Sequence, residues 1–204
     1  RRTLTWHGEA SYRPHGGGPV SHQGFQNRTQ SRGNRITSIV GVLAIVLLMS
    51  VPSGASAYTF TGCKWPSANI AWSNQTSGTY STAALAAGNR WSQLSDVNLS
   101  ATGGNIRVYQ SYTGADGYAG YSYWSCPYYG QTISAEARLN TYYADAYPTL
   151  KKKTVFVHEI GHAVGLHHSQ YSNAVMYTCP ACVYNNYYYS DPQSDDIAGM
   201  NARY

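Results

Sequence analysis

Net charge is missing from most of this chain. From Tyr58 to Tyr204, eight lysines and arginines stand against eight aspartates and glutamates. The formal +5 of the 204 residues comes from the first 57, where six arginines (Arg1, Arg2, Arg13, Arg28, Arg32, Arg35) meet one acid, Glu9. The basic pI therefore carries no implication of nucleic-acid binding. Histidine is absent between His22 and His158, and cysteine before Cys63. Imidazole chemistry in the C-terminal part is thereby confined to His158, His162, His167 and His168. The longest apolar run, 36–52, is shorter than the ~20 residues a spanning helix needs. No internal repeat is present, which excludes solenoid and propeller architectures.

What is there divides into three parts. Residues 1–35 are polar, Gly-rich and arginine-bearing, and are expected to be disordered. Residues 36–57 join an apolar core to Ala55-Ser56-Ala57, a small-x-small pattern. A basic region, a short apolar run and such a site predict a secretory signal peptide cut after Ala57, with an uncleaved anchor as the alternative. Residues 58–204 suffice for one domain with a proper core. They hold nineteen of the twenty tyrosines and all four cysteines, which suits an extracellular protein with two disulfides. Cys179-Pro180-Ala181-Cys182 invites a redox reading, but such a motif should open a helix after a strand, whereas this one follows the turn around Met176 in a chain expected to be secreted. It is read as a short structural disulfide, with Cys63 paired to Cys126, although four cysteines permit three pairings.

Within this part, Asn69–Trp72, Ile106–Tyr109, Tyr118–Trp124 and Ala135–Asn140 alternate as strands do. A helix is expected from a Ser81 cap through Leu94, another from about Thr149, and a last one capped by Ser194. The segment beyond His168 reads as loop. The overall reading is an α+β domain. Its centre is His158-Glu159-Ile160-Gly161-His162-Ala163-Val164-Gly165-Leu166-His167-His168. Helical positions four apart share a face, so His158 and His162 can aim at one metal ion. Glu159 lies close enough to act on water at that ion without being a ligand. A helix continued to residue 168 would point His168 about a third of a turn away from the metal. The helix must stop, and Gly165 is the residue that ends it at little cost. His168 then returns as the third ligand and His167, its neighbour on an extended segment, faces elsewhere.

With Ala174-Val175-Met176-Tyr177-Thr178 and the closing Asp195-Asp196-Ile197-Ala198-Gly199, the chain resembles the metzincin clan of zinc endopeptidases, and within it the secreted matrixin-like members. The resemblance covers most of 58–204. It implies a twisted mixed β-sheet, a zinc-binding active-site helix, a methionine turn at Met176 and a C-terminal helix. It implies one catalytic zinc on His158, His162 and His168, and Glu159 as general base acting on a zinc-activated water. Ala137 to Asn140 looks like the edge strand along which such enzymes lay substrate, so Ala137 and Leu139 are candidate binding residues. The segment 178–190 should wall the pocket beyond the scissile bond, with Tyr184, Tyr187, Tyr188 and Tyr189 as candidates, and Tyr177 beside it is a further candidate for binding substrate. Two features of vertebrate matrixins are missing: a propeptide cysteine, and the histidines of a structural zinc. Asp116 and Asp145 could join a calcium site, but aspartates in turns are more often caps, so calcium is not supported.

The function expected is zinc-dependent hydrolysis of peptide bonds in extracellular proteins by a secreted monomer, with protein or peptide substrates and no stable membrane association after signal cleavage. The rival readings are a tyrosine-rich binding module with a vestigial zinc site and a zinc hydrolase of a non-peptide substrate.

Overall fold

The structure, a computed structural model, describes residues 6–12, 56–127 and 129–204. The apolar segment 36–52 expected as the core of a signal peptide lies outside the described residues. Strands form where apolar and polar residues alternate. Ile106–Ser111 (β4) buries Ile106 and Val108 and exposes Arg107, and Ser134–Asn140 (β6) buries Ala135, Ala137 and Leu139. Asn69–Asn74 (β2) and Tyr118–Ser125 (β5) follow the same rule, and the three-residue Asn98–Ser100 (β3) is a strand the sequence did not announce. Parallel pairs join β3 to β2, β2 to β4 and β4 to β6, while β5 runs antiparallel to β6.

Trp6–Tyr12 (β1), inside the segment expected to be disordered, pairs antiparallel with β5 and completes a sheet of order β1-β5-β6-β4-β2-β3. Two unpaired rows of backbone donors and acceptors satisfy each other there, which alternation within one segment cannot foretell.

Helices Gly78–Leu94 (α1) and Thr149–Ala163 (α3) pack on each other, with α3 also against β5 and β6. The fully buried Trp91, Phe156, Ile106, Leu139, Leu166, Met176 and Met200 belong to one hydrophobic core. Helix α1 starts three residues before the expected Ser81 cap: Ser77 is the cap residue, and the Ser81 hydroxyl accepts from Asn74 instead (3.0 Å). Thr141–Ala144 (α2) is a single turn, and Pro180–Tyr187 (α4) is a helix in a segment read as loop. Helix Ser194–Arg203 (α5) is capped by Gln193 rather than Ser194, in a reciprocal capping box with Asp196. The carboxylate reaches the Gln193 N–H, so the acid three residues on selects the cap.

The first described residues before β2 belong to the fold. Ala57 is buried; its N–H donates to Asp195 (3.0 Å) and its carbonyl accepts from Gln170 N (3.3 Å). The segment 57–61 lies along the chain that returns from α3, with Thr61 N bonded to Gly165 O (3.1 Å) and His167 N to Thr59 O (2.8 Å).

Candidate active site

Helix α3 ends at Ala163, and Gly165 takes a φ of +113°. A side chain there would be strained and would also meet Cys63 O at 2.9 Å, so only glycine turns the chain at this point. The last carbonyls of the helix are not wasted: Ala163 O accepts from the Trp65 indole (2.8 Å) and Val164 O from the Tyr204 hydroxyl (2.7 Å). After the turn the chain brings His168 beside His158 and His162. One ring nitrogen from each lies within 4.8 Å of the others, a group that could hold a metal ion.

The ring nitrogens are oriented by the backbone. His158 Nδ1 faces Val175 O at 2.7 Å and His162 Nδ1 faces Leu166 O at 2.8 Å. A carbonyl only accepts, so each Nδ1 carries the proton and each Nε2 presents its lone pair inward. Those two Nε2 atoms lie 2.9 Å apart. Lone pairs at that distance repel unless a cation stands between them, and the nitrogens of a tetrahedral zinc sit at roughly 3.3 Å from one another. The donor set fits zinc.

Burial drives the three imidazoles below their ordinary value of 6.5: His158 far below it, His162 to about 3 and His168 to about 4. Buried Asp196 moves the other way, to about 6. Between about pH 4 and 6, unfolding lets three histidines take up protons that the folded, metal-free chain refuses, while one aspartate releases its own. Uptake wins by three to one. The metal-free protein should therefore lose stability as pH falls from 6.5 towards 4, read as a lower melting temperature at pH 5 than at 7.5; equal melting temperatures would contradict the burial argued here.

Beneath the histidines, Met176 sits against Gly161, where an added Cβ would lie 2.4 Å from the Met176 sulfur and 3.2 Å from the Trp91 ring. The turn carrying Met176 is clamped by Asp196, whose carboxylate accepts from Val175 N (2.8 Å), Met176 N (3.0 Å) and Gln193 N (2.7 Å). Gly161→Ala should cost about 1–3 kcal/mol by overpacking. A calorimetric scan beside a zinc-retention assay checks it; a variant as stable and as metal-retentive as the parent would remove Met176 from the floor of the site.

Glu159 is fully buried on the side of α3 that faces β5. Ser122 Oγ lies 2.8 Å from its Oε2, and Gly120 leaves the space its Oε1 fills. Trp124, on the same face of β5, has its ring 6.4 Å from that of His162. The roles of Gly120, Ser122, Gly161 and Asp196 escaped the sequence reading. A Gly-Tyr-Ser-Tyr-Trp alternation marks one face of a strand but not which helix that face meets.

Other expected site residues fall elsewhere. Ala137 and Leu139 are fully buried, and β6 is interior, bonded to β4 on one side and β5 on the other. They cannot touch a substrate, and the strand bordering the site is β5. The Ala-Arg-Leu-Asn run carries the alternation of a strand, which does not distinguish an edge from an interior one. Tyr177 is half-buried against the core. Tyr184 on α4 pairs with Tyr188 just past its end (5.6 Å), and Tyr187 with Tyr189 (5.5 Å). The disulfides are Cys63–Cys126 and Cys179–Cys182. Cys179 caps α4 and Pro180 is its first residue, so the motif opens a helix, but it follows the turn that carries Met176 rather than a strand. Asp116 accepts from the Tyr121 hydroxyl, Tyr118 N and Asn140, and Asp145 from the Tyr80 hydroxyl (2.6 Å). Both act as turn and loop acceptors. Among the described residues, the one group of three or more metal-binding side chains is His158, His162 and His168.

Among curated proteins, none matches the sequence. A solved structure described as that of myroilysin is 17% identical, with a TM-score of 0.33, over 64% of this chain and 63% of that one. The chain thus spans less than two thirds of that protein, and a likeness so distant carries no weight here. The model of the matrixin family matches residues 64–204, which include every strand from β2 onward, the three histidines and the methionine turn. The chain belongs to the matrixin family of zinc metalloproteases.

Proposed function

We propose that residues 58–204 form a secreted endopeptidase that cleaves extracellular proteins as a monomer, with one zinc ion on His158, His162 and His168 and Glu159 as its general base. One observation carries the reading: one ring nitrogen from each of His158, His162 and His168 lies within 4.8 Å of the others, and the first two stand on the helix that also seats the buried Glu159 carboxylate. Zinc bound there would supply a full positive charge that acidifies water and polarises the scissile carbonyl. Glu159 takes a proton from the attacking water and returns it to the nitrogen that leaves as the C–N bond breaks. His158 and His162 stay neutral because burial disfavours their charged forms.

The substrate is an extended peptide laid antiparallel on the outer edge of β5. Support comes from β1, which pairs along that edge from Trp6 opposite Ser125 to Tyr12 opposite Tyr118. A peptide on this edge runs past Gly120 and Ser122 and takes the place of β1. Tyr177 and Tyr184 are the candidates for the wall beyond the scissile bond. Removal of residues 1–57 on secretion takes β1 away and frees the edge, so the secreted form is active without further trimming. N-terminal sequencing of the active secreted protein should read Tyr58; an active form beginning past Asn69 contradicts this.

Casein or gelatin hydrolysis by the purified protein, abolished by a chelator and restored by zinc, is the expected result. Protein substrates left intact while ester or amide probes are hydrolysed would point to a non-peptide hydrolase. Full zinc loading with no hydrolysis of either would point to a binding module.

A further inference from the structure

Glu159 is placed from two sides, and the second side is β5. The Ser122 hydroxyl lies 2.7 Å from Glu159 O and 2.8 Å from Glu159 Oε2. Two residues back on the same face of the strand, a Cβ on Gly120 would stand 2.5 Å from Glu159 Oε1. One residue therefore holds the carboxylate and the other is hollowed to admit it. Both Ser122 and Glu159 are fully buried, so neither water nor a mobile surface group sets this contact. A serine hydroxyl has one proton, and in this position it can be given only to the carbonyl or to the carboxylate of the same residue. A buried carboxylate without a donor is costly, and Ser122 is the donor supplied from outside α3.

We infer that Ser122 is a positioning residue for Glu159: it fixes the rotamer of the carboxylate relative to the histidines, with Gly120 as the clearance that rotamer requires. The inference rests on the proposed role of Glu159. It has a structural corollary, because the strand that carries the substrate edge also sets the base. The distance between a bound peptide and the Glu159 carboxylate is then fixed by the pleat of one strand, as neighbouring residues of β5 point alternately at the helix and at the outer surface.

The test uses the zinc-loaded protein and its Ser122→Ala, Ser122→Cys and Glu159→Gln variants. Two quantities are read: kcat and KM on a peptide, and Kd for a peptidyl hydroxamate, a ligand whose hydroxyl is received by a carboxylate in the position of Glu159. Ser122→Ala should lower kcat about tenfold with KM within about twofold, and should weaken hydroxamate binding by a similar factor. Ser122→Cys keeps the size and a weak donor, so its kcat should fall between the two. In the Glu159→Gln background, adding Ser122→Ala should change hydroxamate affinity by much less than it does in the parent, because the two residues act as one unit. Equal effects in both backgrounds, or a Ser122→Ala kcat unchanged per zinc-loaded molecule, overturn the inference and leave Ser122 as packing alone. Should Ser122→Ala fail to fold, a Ser122→Cys kcat equal to the parent's does the same. If Glu159→Gln itself leaves turnover intact, the role of Glu159 fails, and that outcome is separate from the others.

Discussion

Glu159→Gln is expected to keep its zinc and to lose hydrolysis by at least ~10^2-fold, the usual cost of removing a general base. The amide has nearly the shape of the carboxylate, so the space beside Gly120 still accommodates it and Ser122 still has an oxygen to bond. The three histidines are untouched, and their backbone partners, Val175 O and Leu166 O, are unaffected. What changes is the ability to take up a proton from water at neutral pH. Stability should hold or rise slightly, since a buried charge is replaced by a neutral group. Metal analysis and casein turnover on the same preparation decide it. A variant with full zinc and near-parental activity would assign the proton transfer to another group.

The second large effect separates two adjacent histidines. His168→Ala should lose zinc during dialysis against a weak chelator and lose all turnover, while His167→Ala should keep both. The reason lies in the chain after Gly165. His167 N donates to Thr59 O, and His168 O accepts from the Thr59 hydroxyl (2.9 Å), so Thr59 holds this stretch extended alongside it. Side chains on an extended segment alternate in direction, and it is His168 whose nitrogen joins those of His158 and His162. The His167 ring is 6.4 Å from that of His162 and is half-buried at the rim. Retention of zinc by His168→Ala with loss from His167→Ala would mean that the turn at Gly165 delivers the other side chain.

Much of the metal site was legible in the order of residues because its geometry is local. Two histidines four apart share a helix face whatever surrounds them, and a glycine three further on must end the helix for a third to return. The short Cys179–Cys182 pair was readable for the same reason and the methionine turn through family resemblance, whereas Cys63–Cys126, 63 residues apart, was one of three pairings the sequence left open. The acid pattern Asp195-Asp196 was visible, but that Asp196 would be buried as the clamp on Val175 and Met176 was not.

What needed the folded chain were relations between segments distant in sequence. Alternation marks Ser134–Asn140 and Tyr118–Ser125 equally as strands, and nothing in either says that the first is interior and the second borders the site. That is settled by which backbone edges pair, and pairing depends on how α1 and α3 cover one face of the sheet. The same holds for Gly120, Ser122 and Gly161. Each is small or hydroxylated because another segment approaches within van der Waals contact: the Glu159 carboxylate at the first two, the Met176 sulfur at the third. A glycine or serine looks alike in a sequence whether it lies in open space or against a reacting group, and only the packing of helix on sheet tells the two apart.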